Sequence, residues 1–263
     1  MTDGATTSPT STSPTPAMPA AGDDVTDELD DLDFGTVGEP AESPYGPAPS
    51  IVVFDIGEVL IDETRVWAIW ADILGVSPFT FAAVLGAAIV QGEGYEEAFA
   101  HVAPNVTWMD FTEEHERRYG GFQESDLYRD VRTCLEELQA MSVRIGIAGN
   151  QPSIRQAQLL ALDLPHDVMA MSDDLTHEKP DPGFFAEVQQ LVGAQSPDQV
   201  LYVGDRVDND VIPAHEAGMR TCWLRRGPWG QLHACPDGVE PDLVLDGLGE
   251  LPLLLQSWAD DDA

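Results

Sequence analysis

From residue 143 onward the sequence alternates short apolar runs with longer amphipathic stretches, and this alternation restricts the fold more than any other feature. The pattern predicts strands at 143–148, 168–172, 200–203, 220–224 and 243–245. It predicts helices at 153–162, 183–192, 208–217 and 248–258. An earlier run, Ile51-Val52-Val53-Phe54, is apolar throughout and suits a strand buried on both faces. Strands alternating with helices form βαβ units around a parallel sheet, an α/β fold. Ligands of such sheets bind outside the carboxyl ends of the strands, so the residues after each strand are the candidates for chemistry.

Those positions are rich in carboxylates. Asp55 follows the first strand, and Gly149, Asn150 and Gln151 follow the second. Ser172-Asp173-Asp174 and then Glu178-Lys179-Pro180-Asp181-Pro182 follow the third. Gly204-Asp205-Arg206-Val207-Asp208-Asn209-Asp210 follows the fourth, and Arg225-Arg226-Gly227 the fifth. Acidic groups gathered at one sheet edge repel one another unless a cation sits among them. A hard cation with oxygen ligands, Mg²⁺ foremost, satisfies that arrangement.

Lys179 is the only lysine in the chain; every other basic side chain is arginine. An ammonium is a compact point charge and a guanidinium a planar fork. A site that needs a small cation beside a carboxylate and a phosphoryl oxygen cannot exchange them easily.

With these residues in hand, the chain resembles the haloacid dehalogenase superfamily. Phe54-Asp55-Ile56-Gly57-Glu58-Val59-Leu60 is similar to its first motif, and Glu178-Lys179-Pro180-Asp181-Pro182-Gly183-Phe184-Phe185 to its lysine motif. Val203-Gly204-Asp205 with Asn209-Asp210 is similar to its metal motif. The resemblance covers residues 51 to about 258. It implies a Rossmann-like core, a parallel sheet flanked by helices, at 49–65 and 131–263, with an inserted helical cap at 66–130. It further implies a phosphomonoester hydrolase in which Asp55 is the nucleophile and forms an aspartyl-phosphate. Lys179 would be the second catalytic residue and would bind phosphate together with Gly149 and Asn150. Asp55, the carbonyl of Gly57, Asp205 and Asp210 would hold Mg²⁺.

Two positions depart from the family pattern. Phosphatases of the family usually carry a second Asp two residues after the nucleophile, which protonates the leaving alcohol and later activates water; here that residue is Gly57. Glu58 and Asp62 are the neighbouring carboxylates considered for the role. The usual Ser or Thr after the second strand is Gly149. Backbone N–H groups at the start of the next helix, where Pro152 fits a first turn, would then hold phosphate. These departures keep two further readings open: a non-catalytic binding or interaction protein on the same fold, and a 2-haloacid dehalogenase. The metal motif argues against the dehalogenase.

The remaining sequence bounds the setting. Residues 1–48 hold a Ser/Thr/Pro-rich stretch, an acidic run and a Gly/Pro-rich stretch, a composition expected to stay disordered. Between 66 and 130 the chain reads as helical, with segments at 66–74, 79–90, 95–102 and 112–119 and another at 126–141; its aromatic residues are expected in a core. With 47 acidic and 12 basic side chains, a net charge of -35, the chain lacks the clustered cations that nucleic acids or anionic membranes require. The expected partner is instead a small phosphorylated metabolite. No apolar run reaches the length of about 18 residues that spans a membrane, and Met1-Thr2-Asp3-Gly4 does not open a leader. Cys134, Cys222 and Cys235 have no metal spacing and read as reduced thiols of a cytoplasmic protein. The six histidines show no mutual metal spacing and read as surface or packing residues.

Overall fold

The computed structural model describes residues 46–261, so nearly all of the tail expected at 1–48 lies outside the described residues. The strands are β1 (Ile51–Phe54), β2 (Arg144–Gly149), β3 (Val168–Met171), β4 (Val200–Gly204), β5 (Arg220–Leu224) and β6 (Leu243–Leu245). They form one parallel sheet in the order β3-β2-β1-β4-β5-β6. The helices are α1 (Thr64–Ile73), α2 (Pro78–Val90), α3 (Tyr95–Val102), α4 (Thr112–Tyr119), α5 (Val131–Ala140), α6 (Ile154–Ala161), α7 (Pro182–Leu191), α8 (Ile212–Glu216), α9 (Gly227–Leu232) and α10 (Leu251–Asp261).

β1 lies between β2 and β4, with Ile51 opposite both Arg144 and Val200. Its side chains alternate between two cores, which explains why the run has no polar member. Val52 and Phe54 pack with Leu135 and Leu138 of α5 and Leu255 of α10. Ile51 and Val53 pack with Phe184, Phe185 and Val188 of α7. The chain steps outward from β1 to β3, then restarts at β4 on the other side of β1. Such a reversal leaves a crevice at the carboxyl ends of the central strands.

The segment between β1 and α5 contributes a third core. Trp70, Phe81, Leu85 and Phe99 from α1 to α3 are buried there, and Trp229 of α9 joins them. This is the expected fate of the aromatic pattern. His115, buried in α4, stacks on Trp70 with ring centroids 4.3 Å apart, a packing role as anticipated. Among the described residues no single helix is long and apolar enough to cross a membrane, and all three cysteines are free.

Two elements differ from expectation. The helix expected over 208–217 begins as a π-helical turn, Val207–Val211, and only Ile212–Glu216 is α-helical. The cause is Asp210, whose carboxylate turns back to accept the N–H of Arg206 at 3.0 Å and so widens the turn. The helix expected over 126–141 starts at Val131; Glu124–Asp126 is a 3-10 turn, Leu127 is extended, and Leu127 and Tyr128 pair with Ile61 and Leu60.

Arg65, near the start of α1, ties the two ends of the helical segment together. Its guanidinium forms a forked pair with Asp126, donates to the carbonyls of Tyr119 and Gly121, and lies over the Tyr119 ring at 4.0 Å from the centroid. Arg155 of α6 flanks the same ring and pairs with Glu116 of α4 through bonds of 2.8 and 2.6 Å. Replacing Arg65 with Ala strands several acceptors at once, and urea unfolding is expected to show a loss of about 2–3 kcal/mol. Arg65→Lys should recover less than half of it, since an ammonium cannot reproduce the fork or the stacking. A Lys variant as stable as the wild type would contradict this account.

Candidate active site at the carboxyl edge of the sheet

Asp55, Lys179, Asp205 and Asp210 converge although they lie on three separate stretches of chain. β1 is continued by the Asp55 N–H, which donates to the Val203 carbonyl at 2.9 Å and fixes where the side chain starts. Asp205 directly follows β4. Asp210 is brought back to the same edge by the wide turn, and Gly204 lets it approach: a Cβ on that glycine would meet the Asp210 Cβ at 2.3 Å. One oxygen from each of Asp55, Asp205 and Asp210 lies within 4.8 Å of the others, and all three residues are buried.

The Lys179 ammonium sits among them, 2.8 Å from Asp55 Oδ1 and 2.6 Å from Asp210 Oδ1. It also lies 5.9 Å from the centre of the Phe184 ring and 5.6 Å from that of Tyr202. The lysine backbone is held by Asn150, whose Nδ2 donates to the Lys179 carbonyl and whose Oδ1 accepts the Lys179 N–H, both at 2.8 Å. Asn150, expected to bind phosphate, therefore has its side-chain amide engaged in positioning Lys179. The Ser153 N–H, at the start of α6, already donates to Asp173 at 3.2 Å.

Burial disfavours the Lys179 ammonium, but Asp210 and Asp55 outweigh it and hold its pKa well above the ordinary lysine range. Burial, then Asp210 and Asp55, raise the Asp205 carboxyl well above the usual carboxylate range. Burial also pushes Asp210 up to about 6, although Lys179 pulls the other way. With all three aspartates ionised, one ammonium leaves two negative charges in excess. Buried oxygen donors with that excess have the composition a hard divalent cation takes. Gly57 lines the same cavity as Asp55.

Of the two candidates for the missing second carboxylate, Glu58 lines the cavity, and both accept hydrogen bonds from neighbouring groups. Glu58 accepts the Tyr128 hydroxyl proton and, at 3.2 Å, the N–H of Glu63. Asp62 accepts the N–H of Thr64 at 2.8 Å, closing the first turn of α1. The residue the sequence reading missed is Glu63, half-buried and lining the cavity beside Asp55 and Lys179. A Cβ on Gly57 would lie 2.6 Å from Glu63 Oε1, so the Glu63 carboxyl fills the space that a side chain at 57 would take. Burial, then the charges of Glu58 and Asp55, push Glu63 up to about 8. Gly149 is explained in the same way. A Cβ there would stand 2.3 Å from Asp55 Oδ1, so the usual Ser or Thr does not fit beside this orientation of Asp55.

The cavity over these groups has a volume of about 610 Å³. Its floor is acidic, and Trp67, Tyr95 and Trp229 contribute aromatic walls. Trp67 and Tyr95 thus face the cavity, in addition to the core role expected of their segment.

Known proteins share this fold. The profile of the haloacid dehalogenase-like hydrolases matches residues 49–218, and the chain belongs to that family. Glyceraldehyde 3-phosphate phosphatase of Methanopyrus kandleri is 31% identical over 137 residues, 51% of this chain and 58% of the relative. Pyrophosphatase PpaX of Bacillus cereus is 31% identical over 134 residues, 48% of this chain and 59% of the relative. The chain therefore spans less than two thirds of the length of these relatives. The magnesium-bound hydrolase YfnB of Bacillus subtilis superimposes with a TM-score of 0.65 at 18% identity, covering 79% of this chain and 99% of that one, a likeness of fold.

Removing the ammonium should leave the buried carboxylates without a counter-charge. Lys179→Met is expected to lower unfolding stability in EDTA by about 3 kcal/mol or more. Adding Asp210→Asn to that variant should restore part of the loss, because the two side chains act as a unit. Additive losses in urea unfolding would show that Lys179 and Asp210 are not coupled.

Proposed function

We propose that the protein is a Mg²⁺-dependent phosphomonoester hydrolase that acts on a small phosphorylated metabolite through an aspartyl-phosphate on Asp55. The observation that carries this reading is the pairing of Asp55 with Lys179 at 2.8 Å on the floor of a cavity, beside the carboxylates of Asp205 and Asp210. A carboxylate so placed is a nucleophile whose neighbours suit a transferring phosphoryl group.

The covalent steps balance as follows. An Asp55 oxygen attacks phosphorus, the new O–P bond forms, and the ester P–O bond breaks as the leaving oxygen gains a proton. Water then attacks the same phosphorus, the Asp55 O–P bond breaks, and inorganic phosphate leaves with the aspartate restored. Lys179 balances the charge on the phosphoryl oxygens and holds Asp55 in place. Main-chain N–H groups at Gly149 and Asn150 are the proposed phosphate donors. Held by Asp55, the Gly57 carbonyl, Asp205 and Asp210, Mg²⁺ would supply positive charge to the nucleophile and the phosphoryl oxygens. Residues 66–130 serve as the cap that excludes bulk water from the cavity. The free thiols support a reducing, cytoplasmic location.

Purified protein is expected to hydrolyse p-nitrophenyl phosphate with MgCl₂ and not with EDTA. Asp55→Asn should lower kcat/KM by at least about 10³-fold. No turnover with any divalent cation would leave only a binding role for the fold, and an Asn variant as active as an active wild type would overturn Asp55 as the nucleophile. Chloride release from 2-chloropropionate would point to the dehalogenase instead.

A further inference from the structure

The phosphatase reading needs a proton for the leaving oxygen and a base for the attacking water, and Gly57 supplies neither. We propose that Glu63 takes this general acid–base position, reaching from the start of α1 into the space that Gly57 leaves open. This role rests on the phosphomonoesterase reading and completes it.

Three observations carry it. First, the Glu63 carboxyl occupies the volume of a side chain at 57: its Oε1 and Cδ stand 2.6 and 3.0 Å from where a Gly57 Cβ would be. A carboxyl there is next to the nucleophile, on the cavity side, without needing to project from residue 57. Second, the competing carboxylates are engaged. Glu58 is bonded by Tyr128 and the Glu63 N–H, and Asp62 by the Thr64 N–H. Third, Glu63 is built into place from both sides. The Glu58 bond fixes its main chain, and the Arg65 fork fixes the helix that follows.

In the first step the Glu63 carboxyl gives its proton to the leaving oxygen as the ester P–O bond breaks, and becomes a carboxylate. In the second it takes a proton from the water that attacks the aspartyl-phosphate. Each turnover returns it to its starting form, and no further reactant is needed.

The test compares two aryl esters of one shape, p-nitrophenyl phosphate and phenyl phosphate, with Glu63→Gln. The nitrophenolate leaves without an acid; the phenolate does not. For phenyl phosphate kcat/KM is expected to fall by about 10²-fold or more, and for p-nitrophenyl phosphate by less than about 10-fold, on the same principle. The variant should also show a burst of nitrophenolate and accumulate phosphorylated Asp55 by intact-protein mass spectrometry, since the second step loses its base. Retained kcat/KM on the nitrophenyl ester shows that the variant folds. The rescue variant is Gly57→Asp combined with Glu63→Ala, which places a carboxyl in the same space from the other backbone position. It should regain at least about ten-fold on phenyl phosphate over Glu63→Ala alone. Equal losses on both esters, no loss on either, or no phosphoenzyme would overturn the Glu63 role while Asp55-dependent turnover stands. If the wild type lacks Asp55-dependent turnover altogether, the phosphatase reading falls and the Glu63 role with it.

Discussion

The Lys179 ammonium, 2.8 Å from Asp55 and 2.6 Å from Asp210, is the interaction on which the rest of the site depends. Three buried carboxylates at one sheet edge are not stable by themselves, because each raises the cost of ionising the others. A compact cation between two of them offsets that cost and leaves the third free at the cavity. The slot is small on every side: the rings of Phe184 and Tyr202 close it, and the Asn150 amide grips the lysine main chain at both ends. A guanidinium asks for a wider, planar partner. This is a physical reason for a lysine at one position in a chain otherwise reliant on arginine.

The same site shows how a glycine can mark an occupied space. Gly57 and Gly149 look from the sequence like two lost helpers. In the folded chain a Cβ at Gly57 would meet the Glu63 carboxyl, and one at Gly149 would meet the Asp55 carboxyl. What is lost at one backbone position is delivered to the same volume from another. The delivery depends on α1, whose start is set by Glu58 and Asp62 and whose attachment is set by the Arg65 pair with Asp126. The helical segment brings a carboxyl to the cavity wall, along with the aromatic faces of Trp67 and Tyr95.

The sheet, its parallel sense and most of its strands were legible because each is a local pattern: a short apolar run, a following helix, a turn. The strand-end rule marks a wider set of carboxylates, and the resemblance to the family's motifs narrows it to Asp55, Lys179, Asp205 and Asp210. Helix ends were less legible where bonds formed only on folding interrupt the pattern. The turn Val207–Val211 is π-helical, with Asp210 bonded back to the Arg206 N–H, and Leu127 and Tyr128 pair with Ile61 and Leu60 instead of starting the next helix. The resemblance implies a phosphate role for Asn150, yet its side-chain amide bonds the backbone of residue 179.

The sequence by itself determined the class of fold, since strand periodicity is a local property, and its resemblance to a family singled out four charged residues from the many at the strand ends. Only the tertiary structure decided which carboxylate stands beside Asp55. Glu58, Asp62 and Glu63 are near neighbours in the chain and alike in chemistry, and no spacing rule separates them. The separation comes from partners fixed only by folding: Glu58 and Glu63 both line the cavity, but Tyr128 holds the Glu58 carboxylate, Asp62 bonds the Thr64 N–H, and the Glu63 carboxyl fills the space beside Gly57.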